Sequence, residues 1–309
     1  MKIIAHSPTR ISLFGGGTDI EIYSSRFGGI VLGMAINIRQ HITLENTEEV
    51  WGMKEMPEHS RFDFYKAFLQ DLNCPPVLIT AVSDSPIESG LGSSASAAVA
   101  LIAAIYKLQG KEVDKLEIAQ KAYDIEVNKL KMFGGFQDQL HASFGGINVF
   151  EFGQKLTMTK LNDSFINRIL PSMMLFYLGK NRKSPTIQEG FKNLTQGQIE
   201  TLDEIKKLTI EGIKAVGEGD IVKTGRLLDI SWDLKKRSNK GVSNTEIDKV
   251  YAKAQKLGAF GGKIMGAGGG GHFLFIVDPT KKEKFKEQIG LKWTDFSPDW
   301  NGVDVRILG

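Results

Sequence analysis

Three clusters of glycine punctuate this chain, and each stands next to a strand-like run. They are residues 15–17, the turn that contains Gly90 and Gly92, and residues 261–271. Glycine is the default residue where the backbone must adopt a positive φ or approach another group closely. Because ordering so many glycines costs conformational entropy, we expect the third cluster to approach a ligand rather than to form a plain hairpin.

The composition is that of a globular protein and excludes several classes. The chain has 309 residues, of which 41% are hydrophobic and 24% charged, enough apolar material for two domains. A net charge of +3 gives no nucleic-acid footprint. Cys74 is the single cysteine, which excludes an internal disulfide and a cysteine-based zinc site. The chain shows neither a signal peptide nor an apolar run of about 20 residues, so we expect no membrane partner and a cytoplasmic location.

Hydrophobic periodicity predicts an α+β fold. Strand-like runs cover residues 3–5, 10–14, 30–36 and 39–44, and residues 95–108 are apolar on nearly every side, as in a buried helix. The second half reads as a strand, three helices, a glycine loop and a strand. We place the change between domains at residues 150–171, giving domains of residues 1–160 and 161–309.

The second glycine cluster joins a strand to a helix. Gly90 and Gly92 precede Ser93 and Ser94, where the predicted helix begins. The free N–H groups and the dipole at such a helix start suit a phosphate group. The serines could cap the helix or ligate a phosphate-bound Mg²⁺. Taken alone, these residues fit phosphate binding and a plain helix cap equally well, and no Gly-Lys-Ser/Thr of a Walker A loop is present.

The first cluster follows Arg10 and leads into Thr18 and Asp19. Hydrogen-bonding groups beside exposed backbone at a strand end could hold a polyhydroxy ligand. The alternative is a tight turn with Asp19 capping the next element, and the residues taken alone favour that turn.

The third cluster formally contains a dinucleotide fingerprint, from Gly266 through Gly268 to Gly271. We reject that interpretation because a strand follows the loop, where a helix is required. Two acids remain. Glu126 with a serine hydroxyl would suit Mg²⁺, and Asp138 could accept a proton from an acceptor hydroxyl. Each acid taken singly also fits a solvated helix position.

With the three motifs in this order, the chain resembles the GHMP kinase superfamily along nearly its whole length. The resemblance implies an N-terminal domain like ribosomal protein S5 domain 2 and a ferredoxin-like C-terminal domain, with ATP and acceptor between them. It places the ATP triphosphate on Gly90, Leu91, Gly92, Ser93, Ser94 and Ala95.

Within the superfamily, the chain is most similar to the D-glycero-D-manno-heptose 7-phosphate kinases. Four stretches carry this similarity: Gly15-Gly-Gly-Thr18-Asp19, Gly135-Phe-Gln-Asp-Gln139, Arg182-Lys-Ser184 with Ile187, and the region from Trp232 to Asp248. The chain differs in lacking the subgroup's second serine-lysine pair near residues 239–240.

The resemblance implies transfer of the γ-phosphoryl group of ATP to the anomeric hydroxyl of heptose 7-phosphate, giving the 1,7-bisphosphate. It implies that Ser94 and Glu126 hold Mg²⁺, that Asp138 is the base, and that Arg10 keeps Asp138 ionised and faces the phosphoryl group. The acceptor would contact a further set of residues: Thr18, Asp19, Gly268, Gly269, Arg182 and Lys183. The alternatives are a kinase of a neutral sugar (fucose, galactose or an N-acetylhexosamine) and a catalytically silent ligand sensor. The oligomeric state is left open.

Overall fold

Two β-sheets flanked by helices make up the computed structural model. It describes residues 1–48, 51–55, 62–86, 88–112, 114–179, 193–238 and 241–308. The larger sheet has seven strands and the smaller sheet has four. All strand pairs are antiparallel except one. Antiparallel sheets with helices grouped beside them define an α+β fold, so the predicted fold class is confirmed.

The strands of the larger sheet are β1 (Lys2–Phe14), β2 (Gly29–Asn46), β3 (Gly52–Glu55), β4 (Val77–Ser83), β5 (Ile147–Phe152), β6 (Thr157–Leu161) and β11 (Asp304–Leu308). Their order is β11-β1-β2-β4-β3, and β5 pairs with both β2 and β6. β2 is long enough to pair with two strands along one edge. It pairs with β5 through residues 29–34 and with β4 through residues 40–46.

The first 46 residues contain two long strands rather than the four short ones expected from the sequence. β1 and β2 pair along nearly their whole length, and the register shifts between Pro8 and Thr9. Pro8 lies opposite Arg39 and Thr9 opposite Ile36, so residues 37 and 38 form a bulge on β2. The gap between the expected strands of residues 30–36 and 39–44 is therefore a bulge within β2. It bends the sheet and does not end the strand.

The helices of the first half are α1 (Glu21–Phe27), α2 (Phe62–Asp71), α3 (Ser93–Leu108), α4 (Lys115–Tyr123) and α5 (Gln137–Phe144). Every residue of α3 from Ala95 to Tyr106 is buried, which confirms the predicted buried helix. Its many alanines let it pack closely on β1 and β2. This packing fixes the start of α3 at one end of the larger sheet.

A π-helical turn, Asp124–Lys129, continues directly from α4. The sequence predicted an ordinary helix as far as residue 130. The wider turn leaves Glu126 buried, with 4% of its surface exposed, instead of on a solvated face. Such turns within α-helices are frequent at functional sites.

The second sheet has the order β10-β7-β9-β8. Its strands are β7 (Met173–Tyr177), β8 (Ala259–Ile264), β9 (His272–Val277) and β10 (Lys292–Thr294). The remaining helices are α6 (Asp163–Ile166), α7 (Gln196–Glu218), α8 (Ile221–Ser238), α9 (Thr245–Lys256) and α10 (Lys282–Ile289), with short 3₁₀ turns at Leu170–Ser172 and Pro279–Lys281. Stacked Phe273 and Phe275, with centroids 4.5 Å apart, lie in the aromatic core between sheet and helices.

The chain returns to the first sheet at its end, where β11 pairs with β1 and Leu308 lies opposite Lys2. The division into domains at residue 160 stays a prediction. In the part of the chain that the structure describes, no helix is long and apolar enough to cross a membrane.

Candidate active site

A cleft of about 560 Å³ lies between the two halves of the chain. All three glycine clusters contribute to its walls, through Gly16 and Gly17, through Gly90 and Gly92, and through Gly266. The structure therefore brings together motifs that lie up to 250 residues apart in the sequence.

The second cluster forms a tight turn at the start of α3. Gly90 and Gly92 have φ values of 75° and 76°, in the left-handed region that favours glycine. Gly92 is the N-cap residue, and no side chain in the described part of the chain caps this helix. The hydroxyl of Ser93 instead lies 2.9 Å from that of Ser85 and 3.0 Å from that of Ser89. The serine cap considered from the sequence is therefore not formed, which favours an anion at the helix start.

Arg10 and Asp138 form a bidentate ion pair next to this turn. The Nε and Nη2 atoms of Arg10 each donate a 2.7 Å hydrogen bond to a different carboxylate oxygen of Asp138. Nη1 donates to the carbonyl of Gly90, also at 2.7 Å. A Cβ added to Gly92 would lie 3.1 Å from Oδ2 of Asp138, so the carboxylate abuts the turn. Two parallel hydrogen bonds between opposite charges fix the orientation of both side chains.

Ser94 and Glu126 form the neighbouring pair. The Ser94 hydroxyl donates to Oε1 of Glu126 at 2.7 Å, and the amide of Gln139 donates to Oε2 at 2.7 Å. Burial raises the pKa of Glu126 to about 7, and the two hydrogen bonds counteract this only in part. The charge of Glu126 is therefore costly unless a cation shares the site.

The consecutive residues Gln137, Asp138 and Gln139 hold three different parts of the site. They occupy the first turn of α5, where successive side chains project about 100° apart. Gln137 bonds to Asp19, Asp138 to Arg10, and Gln139 to Glu126. The sequence pattern was noted, but the bracing roles of the two glutamines were missed, because spacing alone does not show what each side chain meets.

Asp19 is buried and lines the cleft. It accepts hydrogen bonds from the backbone N–H groups of Gly17 and Gln137 and from the Gln137 amide, at 3.0–3.1 Å. Burial raises its pKa above the ordinary value, and the nearby charge of Asp138 adds to this. Gly135 is required here, since a Cβ at that position would lie 1.9 Å from Oδ2 of Asp19.

Thr18 does not line the cleft. Its hydroxyl lies 2.8 Å from the carbonyl oxygen of Gly15 and 3.0 Å from that of Ile30, and it accepts from the Ile30 N–H at 3.1 Å. These bonds tie the first glycine cluster to the start of β2. The position of Thr18 does not support the predicted contact with a sugar hydroxyl, because its hydroxyl is already used by backbone.

The third cluster packs on the second cluster, which differs from the expectation that its glycines approach a ligand. A Cβ on Gly266 would lie 2.8 Å from the Cα of Gly90, and one on Gly271 would lie 2.6 Å from the carbonyl oxygen of Ser89. Gly268 and Gly269 instead lie against Val242. Most of these glycines therefore serve backbone-to-backbone contact, and Gly266 with Ala267 forms the part of the loop that faces the cleft.

Two lysines of the second half also line the cleft, the half-buried Lys235 on α8 and the buried Lys263 on β8. The sequence analysis included Lys235 only within the region from Trp232 to Asp248 that carries the resemblance, and it gave Lys263 no role. The position of Lys263 inside the third glycine motif was the available signal. The predicted substrate residues Arg182 and Lys183 lie outside the described residues.

A glycine turn at a helix start, with one ion pair beside it and a hydroxyl–carboxylate pair behind it, defines a phosphotransferase cleft. The sequence pattern described as GHMP kinases N terminal domain matches residues 61–146. The pattern described as GHMP kinases C terminal matches residues 212–295. The chain therefore belongs to the GHMP kinase family and is an ATP-dependent sugar kinase. The predicted two-domain GHMP architecture is confirmed.

Among the relatives, the chain is 30% identical to D-glycero-alpha-D-manno-heptose 7-phosphate kinase of Campylobacter jejuni, with 91% of each protein covered. It is 27% identical to a galactokinase of Pyrococcus furiosus, covering 93% of this chain and 92% of the relative. A crystal structure of a D-glycero-D-manno-heptose 1-phosphate kinase from Bacteroides thetaiotaomicron superposes with a TM-score of 0.79 over 99% of both chains. At 24% identity, that superposition shows the shared fold.

Proposed function

We propose that this kinase phosphorylates the anomeric hydroxyl of D-glycero-D-manno-heptose 7-phosphate. The observation that carries the proposal is the Arg10–Asp138 pair, held against the phosphate turn at Gly92. The name of the Campylobacter jejuni relative supplies the acceptor, together with the four stretches that resemble this subgroup.

In this proposal the N–H groups at the start of α3 bind the triphosphate of ATP. The anomeric oxygen attacks the γ-phosphorus, the bond to the β,γ-bridging oxygen breaks, and ADP leaves. Asp138 accepts the proton of the attacking hydroxyl, and Arg10 stabilises charge on the transferring group. Phosphoryl transfer depends mainly on such positioning and charge neutralisation, which the rigid bidentate pair provides.

The Ser94–Glu126 pair fits Mg²⁺. Its two oxygens are adjacent and face the start of α3, and the carboxylate is buried without a cationic partner in the described residues. Nucleotide-bound Mg²⁺ needs only one or two side-chain oxygens besides phosphates and water. The absence of a cluster of three or more metal-ligating side chains in the described ranges is therefore consistent with this assignment. When bound, the ion would neutralise charge on the phosphates.

Two unpaired polar atoms support binding of the acceptor at one wall of the cleft. The hydroxyl of Ser12 and the amide oxygen of Gln137 are buried and have no hydrogen-bond partner among the described residues. Both side chains line the cleft together with Asp19. Buried polar atoms are costly when unpaired, so sugar hydroxyls are suited to this wall.

A neutral sugar is the second candidate, since the same wall would serve its hydroxyls and the chain is also similar to a galactokinase. The complete set of Arg10, Ser94, Glu126 and Asp138 argues against a silent sensor. The location in the cytoplasm and the division at residue 160 remain part of the proposal.

An ATP-consumption assay over heptose 7-phosphate, free heptose, galactose, fucose and N-acetylhexosamines tests the acceptor. We expect heptose 7-phosphate to give the highest kcat/KM and Asp138→Asn to lower turnover by about 10²–10⁴-fold. A wild-type preference for a neutral hexose would replace the proposed acceptor with the second candidate.

A further inference from the structure

Lys263 is buried and Lys235 is half-buried, and neither has an acidic partner among the described residues. Each lines the cleft, and neither lies within ion-pair distance of a carboxylate in the part of the chain that is described. Their ammonium groups bind only backbone carbonyls. Lys235 donates to Ile264 and Gly266, and Lys263 donates to Leu13. Burial without a counter-charge disfavours the protonated form of both amines, so a ligand that supplies negative charge would stabilise that form.

Both lysines retain unused hydrogen-bond donors. An ammonium group has three N–H bonds. Lys235 uses two on the described backbone and Lys263 uses one, which leaves one and two N–H bonds respectively. Since both side chains line the cleft, the remaining donors are available to a ligand there.

Arg10 and three carboxylates line the cleft with the two lysines. Arg10 lies close enough that its charge lowers the pKa of both lysines, after the larger effect of burial, which brings that of Lys263 to about 7. Asp138 is already paired with Arg10, and Asp19 is the remaining carboxylate that acts on Lys263. Arg10, Lys235 and Lys263 line the cleft together with the carboxylates Asp19, Glu88 and Asp138, and among the described residues only Asp138 forms an ion pair with one of these three basic groups.

Helix α8 adds hydroxyl groups on the same face. Ser231, Lys235 and Ser238 follow a spacing of four and three residues, so they share one side of the helix, and all three line the cleft. Two ammonium groups flanked by hydroxyls match the chemistry of a phosphate dianion.

We propose that Lys235 and Lys263 form a phosphate-binding subsite on the wall of the cleft contributed by the second half. This inference rests on the proposed function. The subsite binds either the phosphate that the acceptor already carries or the γ-phosphate of ATP. It gives the second half a direct part in selecting a phosphorylated ligand.

The test is calorimetric titration of the full chain with two matched ligand pairs at pH 8. One pair is heptose 7-phosphate and free heptose, and the other is a non-hydrolysable ATP analogue and ADP. Lys263→Gln is compared with Lys236→Gln, the same change of residue type one position from Lys235. Lys236 does not line the cleft and pairs with Asp233 at 2.8 Å.

We expect Lys263→Gln to weaken heptose 7-phosphate or the ATP analogue at least about tenfold, with its matched partner unchanged. The pair that responds identifies the source of the phosphate. Lys236→Gln should leave all four affinities unchanged. Four unchanged affinities in Lys263→Gln, or an equal loss within both pairs, would overturn the subsite.

The wild-type protein offers a second measurement. Lys263 is mostly neutral at pH 8, and a bound dianion restores its proton, so titrations in two buffers of different ionisation enthalpy should show proton uptake. Undiminished uptake in Lys263→Gln would contradict the assignment. A wild type that phosphorylates no sugar but binds the ATP analogue through Lys263 would refute the proposed function and leave the subsite standing. A wild type that phosphorylates the sugar, but whose ligand affinities do not change in Lys263→Gln, would refute the subsite alone.

Discussion

Glu126 should make the metal-free protein less stable as the pH rises, and Glu126→Gln should remove that effect. Burial raises the pKa of this carboxyl from the ordinary 4.5 to about 7 in the folded chain. Between those two values the folded protein binds more protons than the unfolded chain. Stability is therefore fully present below about pH 4.5 and is lost as the pH rises through about 7.

The magnitude follows from the same difference in pKa. At about 1.4 kcal/mol for each pH unit, it sets an upper bound of about 3 kcal/mol at pH 8.5. Glutamine keeps the shape, accepts from Gln139 and donates to Ser94, so it replaces the charge without leaving a cavity. For a chain of this size we expect Glu126→Gln to raise Tm by about 2–6 °C at pH 8.5.

Scanning calorimetry in the presence of a chelator measures this difference, and the same pair of proteins at pH 5 is the control. There the wild-type carboxyl is largely protonated, so the two Tm values should nearly coincide. The reasoning about Glu126 would be refuted by a gain of equal size at both pH values, or by a loss at pH 8.5. Although Glu126→Gln should raise Tm, it should lower kinase activity, because the variant lacks the carboxylate proposed for Mg²⁺.

Three further changes test the rest of the site. Asp138→Asn should lower kcat by about 10²–10⁴-fold with nucleotide affinity nearly unchanged, and turnover close to wild type would exclude Asp138 as the base. Gly92→Val places a branched side chain at a φ of 76° beside Asp138, so calorimetry should show weakened ATP binding in a protein whose circular dichroism is normal. Gly266→Ala should also weaken ATP binding, because its Cβ would lie 2.8 Å from the Cα of Gly90 and displace that residue, and unaltered affinity would show that the two loops are independent.

The sequence contained most of the site, because its motifs combine residue types that have few other uses together. The turn at Gly90 and Gly92, the buried helix α3 and the pairing of Asp138 with Arg10 all follow from local pattern and resemblance. Hydrophobic periodicity also indicated the α+β class, since the apolar faces of strands and helices decide which surfaces must be buried.

What the sequence left out depends on contacts between distant segments. The burial of Glu126 depends on a π-helical turn, whose extra residue per turn has no signature in hydrophobic spacing. Lys263 resembles any lysine after a glycine pair until β8 is placed against β1. The third cluster suggested a ligand site, because its real partner, the backbone of Gly90 and Ser89, lies about 175 residues earlier and cannot be inferred from local composition.

The pairing of β1 with β11 sets the order in which the protein can be completed during synthesis. β1 obtains β2 as a partner on one edge almost at once, but its other edge waits for a strand in which Leu308 pairs with Lys2. β2 ends at Asn46 and β11 begins at Asp304, so at translation rates of about 5–20 residues per second the roughly 260 intervening residues separate the two events by about 13–52 s. An unpaired strand edge is a template for pairing with other chains over that interval. Chaperone binding to the nascent chain should therefore matter most while this edge of β1 is unpaired.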